Sequence, residues 1–188
     1  MSSSLLNLEP IIHLTQKQFY ELSQVNRDLK LELTAKGELI IVSPVGGEGG
    51  SQEADLITDL NNWNRQNRLG KVFSSSTIFN LPNRANRSPD AAWIELSRWE
   101  ALTSEEQQKF PPLCPDFAIE LRSPSDRLQP LQDKMQEYLD NGLRLGWLIN
   151  PQDRQVEIYR PNQSVEVISL PATLSGEDVM PGFILRLP

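Results

Sequence analysis

Apolar residues repeat with two different periods along this 188-residue chain, and this alternation constrains the fold more than any other feature. Helical spacing in residues 15–26 gives way to a period of two in residues 29–33, followed by a short apolar run in residues 39–42, and both periods recur further along. The turn between the two short runs predicts a β-hairpin with Gly37 at its tip. A chain that mixes such strands and helices is expected to fold as an α/β domain.

No change in composition marks a boundary, and we predict a single domain over residues 1–188. The four glycines of residues 44–50 predict a flexible loop, followed by a helix over residues 51–66. Further strands are predicted over residues 72–79, 91–94, 117–122, 146–149 and 155–159, with short strands in the tail at 165–168 and 183–185. A surface helix is expected over residues 99–109, and a longer helix over residues 128–141.

The chain contains one histidine, His13, and one cysteine, Cys114. A structural zinc site needs about four Cys or His ligands and a disulfide needs two cysteines, so both are excluded. His13 lies in a segment with none of the usual surroundings of a Ser-His-Asp triad. The chemistry must therefore rest on carboxylates and on lysine or arginine, and a hard metal ion bound through oxygen is compatible with these groups.

Acidic residues outnumber basic ones by 25 to 18, which gives a formal net charge of -7. This balance argues against a protein that coats nucleic acid, although a local basic groove is compatible with it. No run of about 18 apolar residues predicts a membrane span, and the N-terminus lacks the pattern of a secretory signal. With its single cysteine, the chain is expected in a reducing cytoplasm.

Two carboxylates lie where an apolar core is expected. Residues 117–122 alternate so that Glu120 falls on the face opposite three apolar side chains, and a central strand would bury that face. A buried charge must be paired, protonated or bound to a metal. The alternatives are that Glu120 pairs with Arg122 or lies on an exposed face. Asp90 stands at the start of an apolar strand, where a turn or strand-end cap is the alternative, but with Glu120 it predicts a two-carboxylate Mg²⁺ site.

Two helical residues complete the set of candidates. Lys134 lies at the edge of the apolar stripe of helix 128–141, from where it can reach a neighbouring carboxylate. The alternative is a solvated lysine whose stem covers apolar surface. Glu53 falls on the inward face of helix 51–66, and its alternative role is to complement the dipole of that helix.

Several motifs, taken together and in order, resemble one protein family. They are Arg87-Ser-Pro-Asp90, residues 115–126 (PDFAIELRSPSD), residues 134–138 (KMQEY) and residues 141–151 (NGLRLGWLINP), with residues 32–44, 46–50 and 181–183 extending the likeness. The family is a restriction-endonuclease-like one, formerly a domain of unknown function and greatly expanded in cyanobacteria. It is similar to the PD-(D/E)XK nuclease superfamily, in which a mixed β-sheet flanked by helices carries a metal-binding Asp and Glu on adjacent strands.

The resemblance implies a metal centre and a departure from the usual pattern. Asp90 matches the motif aspartate and Glu120 the (D/E) position, and both would bind the metal together with the backbone carbonyl of Leu121. The lysine expected two residues after Glu120 is replaced by Arg122, whose guanidinium pKa is too high for proton transfer. Arg122 would instead contact a phosphate or orient Glu120.

Two helices would supply the remaining groups. Lys134 fits the lysine that, in this family, migrates to the helix after the (D/E) strand. Glu53 resembles the first-helix glutamate that many such nucleases add to the metal shell, and Glu48 is its rival.

The resemblance therefore implies an endonuclease that hydrolyses DNA with Mg²⁺, or with Mn²⁺ as a substitute. Asp90, Glu120, Lys134 and Arg122 would be the catalytic residues. By analogy with the superfamily, a homodimer is expected. The alternative is a catalytically inactive nuclease-fold protein that binds nucleic acid or a protein partner, which the acidic balance and Arg122 favour.

Overall fold

The computed structural model describes residues 3–188. The helices are α1 (Gln16–Val25), α2 (Gly47–Asn67), α3 (Leu96–Glu100), α4 (Ser104–Gln108) and α5 (Leu128–Asp140). The strands are β1 (Ser3–Asn7), β2 (Lys30–Leu33), β3 (Glu38–Val42), β4 (Gly70–Ser74), β5 (Phe79–Asn80), β6 (Asn86–Arg87), β7 (Ala91–Glu95), β8 (Phe117–Leu121), β9 (Leu145–Asn150), β10 (Gln155–Tyr159), β11 (Glu166–Ser169), β12 (Ala172–Ser175) and β13 (Ile184–Leu187).

The central sheet has six strands in the order β11-β10-β9-β8-β7-β4. Only its β8–β9 pair is parallel, so the sheet is mixed. Every residue of β8 and β9 is buried because both faces of the sheet are covered. The side chains of α2 and of the β12–β13 hairpin pack on one face, and those of α5 pack on the other. This arrangement confirms the predicted class, a mixed β-sheet flanked by helices.

The second sheet contains the predicted N-terminal hairpin, β2–β3, with Gly37 at a positive φ of 81° in the turn. Its order is β1-β3-β2-β6-β5. The sequence pattern missed β1, which adds to the outer side of the hairpin. One face of this sheet packs against α1, and its own core includes Phe19, Leu31, Leu33 and Leu39. Its opposite face is turned toward α5.

The prediction of a flexible loop over residues 44–50 is wrong, because α2 already begins at Gly47. The amide of Gly50 donates to the carbonyl of Gly46 at 2.9 Å, which closes the first turn. The cost of glycine in this turn is overcome by packing further along the helix, where Leu60 and Trp63 are buried in the core. The glycines therefore belong to a helix end that faces the candidate site.

Two other predicted elements are divided in the structure. The strand expected over residues 72–79 is split by a turn at Ser74–Thr77, so that β4 and β5 lie in different sheets. The surface helix expected over residues 99–109 is two short helices, α3 and α4. The second restarts at Thr103, whose hydroxyl accepts from the Glu106 amide in a capping box. Local hydrogen bonding at turns and caps decides both boundaries.

Within the described part of the chain, residues 3–188, no helix combines the length and the apolar character that crossing a membrane requires.

Gly70, the first residue of β4, lies too close to β7 to accept a side chain. A Cβ at this position would lie 2.1 Å from the backbone oxygen of Ile94 and 2.4 Å from a ring carbon of Trp93. We expect Gly70→Ala to lower the free energy of unfolding by about 3 kcal/mol, because the rigid neighbours must move apart. Urea denaturation measures this loss. Gly47→Ala is the matched control, since no atom lies within 4 Å of its added Cβ, and an equal loss there would contradict this account.

Candidate active site

The two predicted carboxylates lie side by side at the end of the β7–β8 pair. In this antiparallel pair Ala91 lies opposite Ile119, so continuing the register by one residue places Asp90 opposite Glu120. Directly opposite residues have their Cβ atoms about 5 Å apart. Both side chains are buried, with 3% of Asp90 and 2% of Glu120 exposed. The sheet therefore brings together two acidic groups that lie thirty positions apart in the sequence.

The two carboxylate oxygens of Asp90 have different surroundings. Oδ2 accepts a hydrogen bond of 2.8 Å from the amide of Leu121, so Asp90 does cap the strand pair. Oδ1 is buried and has no hydrogen-bond partner among residues 3–188. Burial raises the pKa of Asp90, opposed by attraction to Lys134 and Lys30. A buried acceptor without a partner is costly in a native structure and marks a place where a ligand would be favourable.

Glu120 is held by two residues of α5. Its Oε1 lies 2.9 Å from Nζ of Lys134 and accepts a hydrogen bond of 3.0 Å from the hydroxyl of Tyr138. Burial raises the pKa of Glu120 to about 7, although attraction to Lys134 opposes the rise. The two alternatives for Glu120, an exposed position or a pair with Arg122, do not describe its surroundings.

Lys134 directs its ammonium group into the protein and not into solvent. Nζ lies 2.9 Å from Oε1 of Glu120, 2.9 Å from Oε1 of Glu32 and 3.3 Å from the carbonyl oxygen of Ser88. Three acceptors thus match its three N–H donors. Burial alone would lower the pKa of Lys134, but attraction to Glu120, Glu32 and Asp90 outweighs burial and raises it. The alternative of a solvated lysine is therefore wrong.

Glu32 is the buried charge that sequence reasoning missed. It lies on β2 and accepts hydrogen bonds from Lys134, from the amide of Ser88 at 3.0 Å and from Arg87 at 3.2 Å. Burial would raise the pKa of Glu32, but attraction to Lys134 and Arg87 outweighs burial and lowers it to about 2. The period-two pattern places Glu32 on one face of β2 and Leu31 and Leu33 on the other. A strand face that carries a charged residue in this way is normally solvated. Only the packing of α5 over that face shows that it is buried.

The remaining candidates lie on the other side of Asp90. Arg122 donates to Oδ2 of Asp153 at 2.8 Å and to Oδ1 of Asn150 at 3.2 Å, and so is directed away from Glu120. Glu53 accepts a hydrogen bond from the hydroxyl of Ser75. Glu53 also lines a cavity that Asp90 borders.

Two cavities lie on either side of Asp90 and Leu121, which line both. The first, of about 490 Å³, opens between the second sheet and α5 and is lined by Leu5, Lys30, Glu32, Ile40, Val42, Arg87, Asp90, Glu120, Leu121, Ser125, Asp126, Arg127, Pro130, Leu131 and Lys134. The second, of about 440 Å³, is lined by Val45, Gly46, Gly47, Glu48, Gly49, Gln52, Glu53, Asp90, Leu121, Arg122, Ser123, Pro124, Pro151 and Gln152. Every candidate from the sequence thus borders one cavity or both.

The donor set suits a hard divalent cation with few protein ligands. Among residues 3–188, no group of three or more His, Cys, Asp and Glu side chains is arranged to hold an ion. Mg²⁺, however, keeps several waters and is often bound through one or two carboxylates. Asp90 and Glu120 provide two, and the unpartnered Oδ1 of Asp90 is a free acceptor for such an ion. The residues therefore fit the metal that the sequence motifs imply.

Comparison with known proteins identifies the same family as the sequence motifs. The family model Uma2, described as "Putative restriction endonuclease", matches residues 16–188. The crystal structure of "a putative nuclease belonging to DUF820" from Anabaena variabilis ATCC 29413 matches with a TM-score of 0.78 and 20% sequence identity, over 92% of this chain and 94% of that chain. No curated protein matches significantly. The family match confirms the predicted resemblance, and the structural match shows that the fold is shared.

The ion pairs of Glu32 predict an acid-dependent stability. Because the pKa of Glu32 is about 2 in the folded protein and near 4.5 when unfolded, its charge stabilises the fold above pH 4.5. That contribution, on the order of 3 kcal/mol, is lost as the pH falls from 4.5 toward 2. We expect the stability difference between wild type and Glu32→Gln to be larger at pH 6 than at pH 3. Urea denaturation at both pH values measures it, and a constant difference would contradict the assignment.

Proposed function

Because the chain belongs to the Uma2 family, described as putative restriction endonucleases, we propose that it is a metal-dependent endonuclease that hydrolyses phosphodiester bonds of DNA. The observation that carries the proposal is the buried cluster of Asp90, Glu120 and Lys134, two carboxylates and an ammonium group at the meeting point of two cavities. Structural ion pairs are usually solvated or fully satisfied, whereas this cluster retains an unpartnered carboxylate oxygen. A titratable cluster of this kind in a cleft is typical of a catalytic site.

In this proposal Asp90, Glu120 and the backbone carbonyl of Leu121 would hold Mg²⁺ or Mn²⁺. When bound, the ion would supply a positive charge next to the scissile phosphate and lower the pKa of a water molecule. Glu53 and Glu48 both border the second cavity and are rival further ligands on that side.

Lys134 would act as a fixed positive charge. Attraction to the surrounding carboxylates raises the pKa of Lys134, which favours the protonated ammonium group, and this charge would stabilise negative charge on the phosphate. Glu32, whose Oε1 lies 2.9 Å from Nζ of Lys134, would hold the ammonium group in place while Glu120 binds the metal ion. Arg122, held by Asp153 at the second cavity, would contact a phosphate oxygen on that side.

Removing either metal-binding carboxylate should abolish cleavage. We expect Asp90→Asn and Glu120→Gln each to reduce Mg²⁺-dependent cleavage of DNA at least about 1000-fold, because the ion loses one of two acidic ligands. Lys134→Met should reduce it about 100-fold or more through loss of charge stabilisation. Gel analysis of the cleavage of plasmid DNA and of single-stranded DNA, with circular dichroism to verify folding, measures these effects.

Matched controls lie on the short helix α4 and at its C-terminal cap. Glu105 and Lys109 form an exposed ion pair at 2.6 Å that borders neither cavity. Glu105→Gln and Lys109→Met should therefore cleave as fast as the wild type. Unchanged cleavage by Asp90→Asn or Glu120→Gln in folded protein would refute the site.

Metal binding can be measured without activity. We expect Mg²⁺ or Mn²⁺ to raise the melting temperature of the wild type, because a ligand that binds only the folded state adds about 2.7 kcal/mol at 100 times its Kd. Glu120→Gln should lose this shift, as followed by thermal denaturation. Equal melting temperatures with and without metal in the wild type would favour the alternative, a nuclease-fold protein that binds its partner without cutting it.

A further inference from the structure

The first cavity has apolar walls above a charged floor. One wall is a face of the second sheet, where Leu5 pairs with Ile40 and Ile40 pairs with Glu32 in a single cross-strand row. This row runs from Leu5, which is 55% exposed, to Glu32, which is 3% exposed. The facing wall is the first turn of α5, with Pro130 and Leu131. A ligand that reaches the carboxylates therefore passes between two aliphatic surfaces.

The walls do not match the outside of a DNA duplex. A duplex presents sugars and charged phosphates to its surroundings, whereas the faces of its bases are stacked inside. An unpaired base, in contrast, exposes an apolar face that packs against apolar side chains. The volume of about 490 Å³ lies in the range of cavities that enclose a small organic ligand such as a nucleotide.

The burial of the two carboxylates also favours an unpaired strand as the ligand. Asp90 and Glu120 are only 3% and 2% exposed, so a phosphate must enter the cleft to reach them. An unpaired strand bends into such a cleft more easily than a duplex, because no second strand has to follow. The shared lining residues, Asp90 and Leu121, also let a strand continue into the second cavity. Gly46 and Gly47 line that cavity and have no side chains to fill it.

Positive charge lies on the rim of the first cavity. Lys30 on β2 and Arg127 at the start of α5 line it on opposite sides. Lys30 and the Asp90 carboxylate line this same cavity. Asp126 also lines this cavity, but its carboxylate accepts hydrogen bonds from the amide and the hydroxyl of Ser123. Lys30 and Arg127 therefore match the charge of a phosphate backbone, despite the net charge of -7 of the whole chain.

We propose that the substrate is single-stranded DNA, with one unstacked nucleotide between the second sheet and α5 and the strand continuing over Asp90 and Leu121 into the second cavity. This inference rests on the proposed function and names its substrate class. Because the walls are aliphatic, the base is held by apolar contact, which is tolerant of base sequence. Lys30 and Arg127 contact phosphates on the two sides of the opening.

Fluorescence anisotropy tests the proposal. A labelled 12-nucleotide single strand and the same sequence as a duplex are titrated with wild-type protein in Ca²⁺, and cleavage of both is followed in Mg²⁺. We expect the single strand to bind at least tenfold more tightly and to be cut faster. Lys30→Gln should reduce the slope of log K against log salt by about 0.7, the value for one phosphate contact on a single strand.

Leu5→Asp tests the wall without threatening the fold, because this side chain is 55% exposed. It should weaken single-strand binding at least tenfold. Val167→Asp, on the edge strand β11 and 53% exposed, is the matched control and should change binding less than twofold.

The outcomes separate the two proposals. Equal or tighter binding and cleavage of the duplex would overturn the single-strand inference and leave the nuclease proposal standing. A single-strand preference that Leu5→Asp does not alter would overturn the placement of the base. If neither nucleic acid binds or is cut, the proposed function fails, and the substrate inference fails with it.

Discussion

The arrangement of the site depends on the contacts that the ammonium group of Lys134 makes. This group lies 2.9 Å from Glu120 on the central sheet and 2.9 Å from Glu32 on the second sheet, while its own backbone belongs to α5. Three elements are thus fixed relative to one another by one buried charge. A buried ion pair stabilises a fold weakly against an apolar substitute, but breaking it is costly because it leaves a charge without a partner. The cluster therefore specifies how the sheets meet.

A second set of ion pairs, made by Arg87, supports the contact between Lys134 and Glu32. Arg87 binds Glu32 on one side and Glu137 of α5 on the other. Because Glu32 accepts from both Lys134 and Arg87, its carboxylate is held by groups on three sides, with the Ser88 amide as the third. Lys134 thus keeps its position through contacts that do not involve the metal-binding carboxylates.

Much of this could be predicted from the sequence, because the signals were local. The alternation in residues 117–122 placed Glu120 on a strand face, and the helical stripe of residues 128–141 placed Lys134 at its edge. The features that could not be predicted depend on how distant elements pack against each other. Glu32 has a normal pattern for a solvated strand face, and only the second sheet packing against α5 buries it. The glycines of residues 47–50 are poor helix formers locally, and α2 includes them because its distant end is packed in the core.

Asp90 divides its two oxygens between different tasks. Oδ2 accepts from the Leu121 amide and so takes the place of a ladder hydrogen bond where β7 has not yet begun. Oδ1 accepts no hydrogen bond from any of residues 3–188. The backbone geometry of Leu121, whose carbonyl is a proposed ligand, is therefore set by the same side chain that would bind the ion. Because Asp90 precedes β7 and Leu121 ends β8, a change of the β7–β8 register would break this hydrogen bond and separate the acid from the carbonyl, so an intact site depends on one register of these two strands.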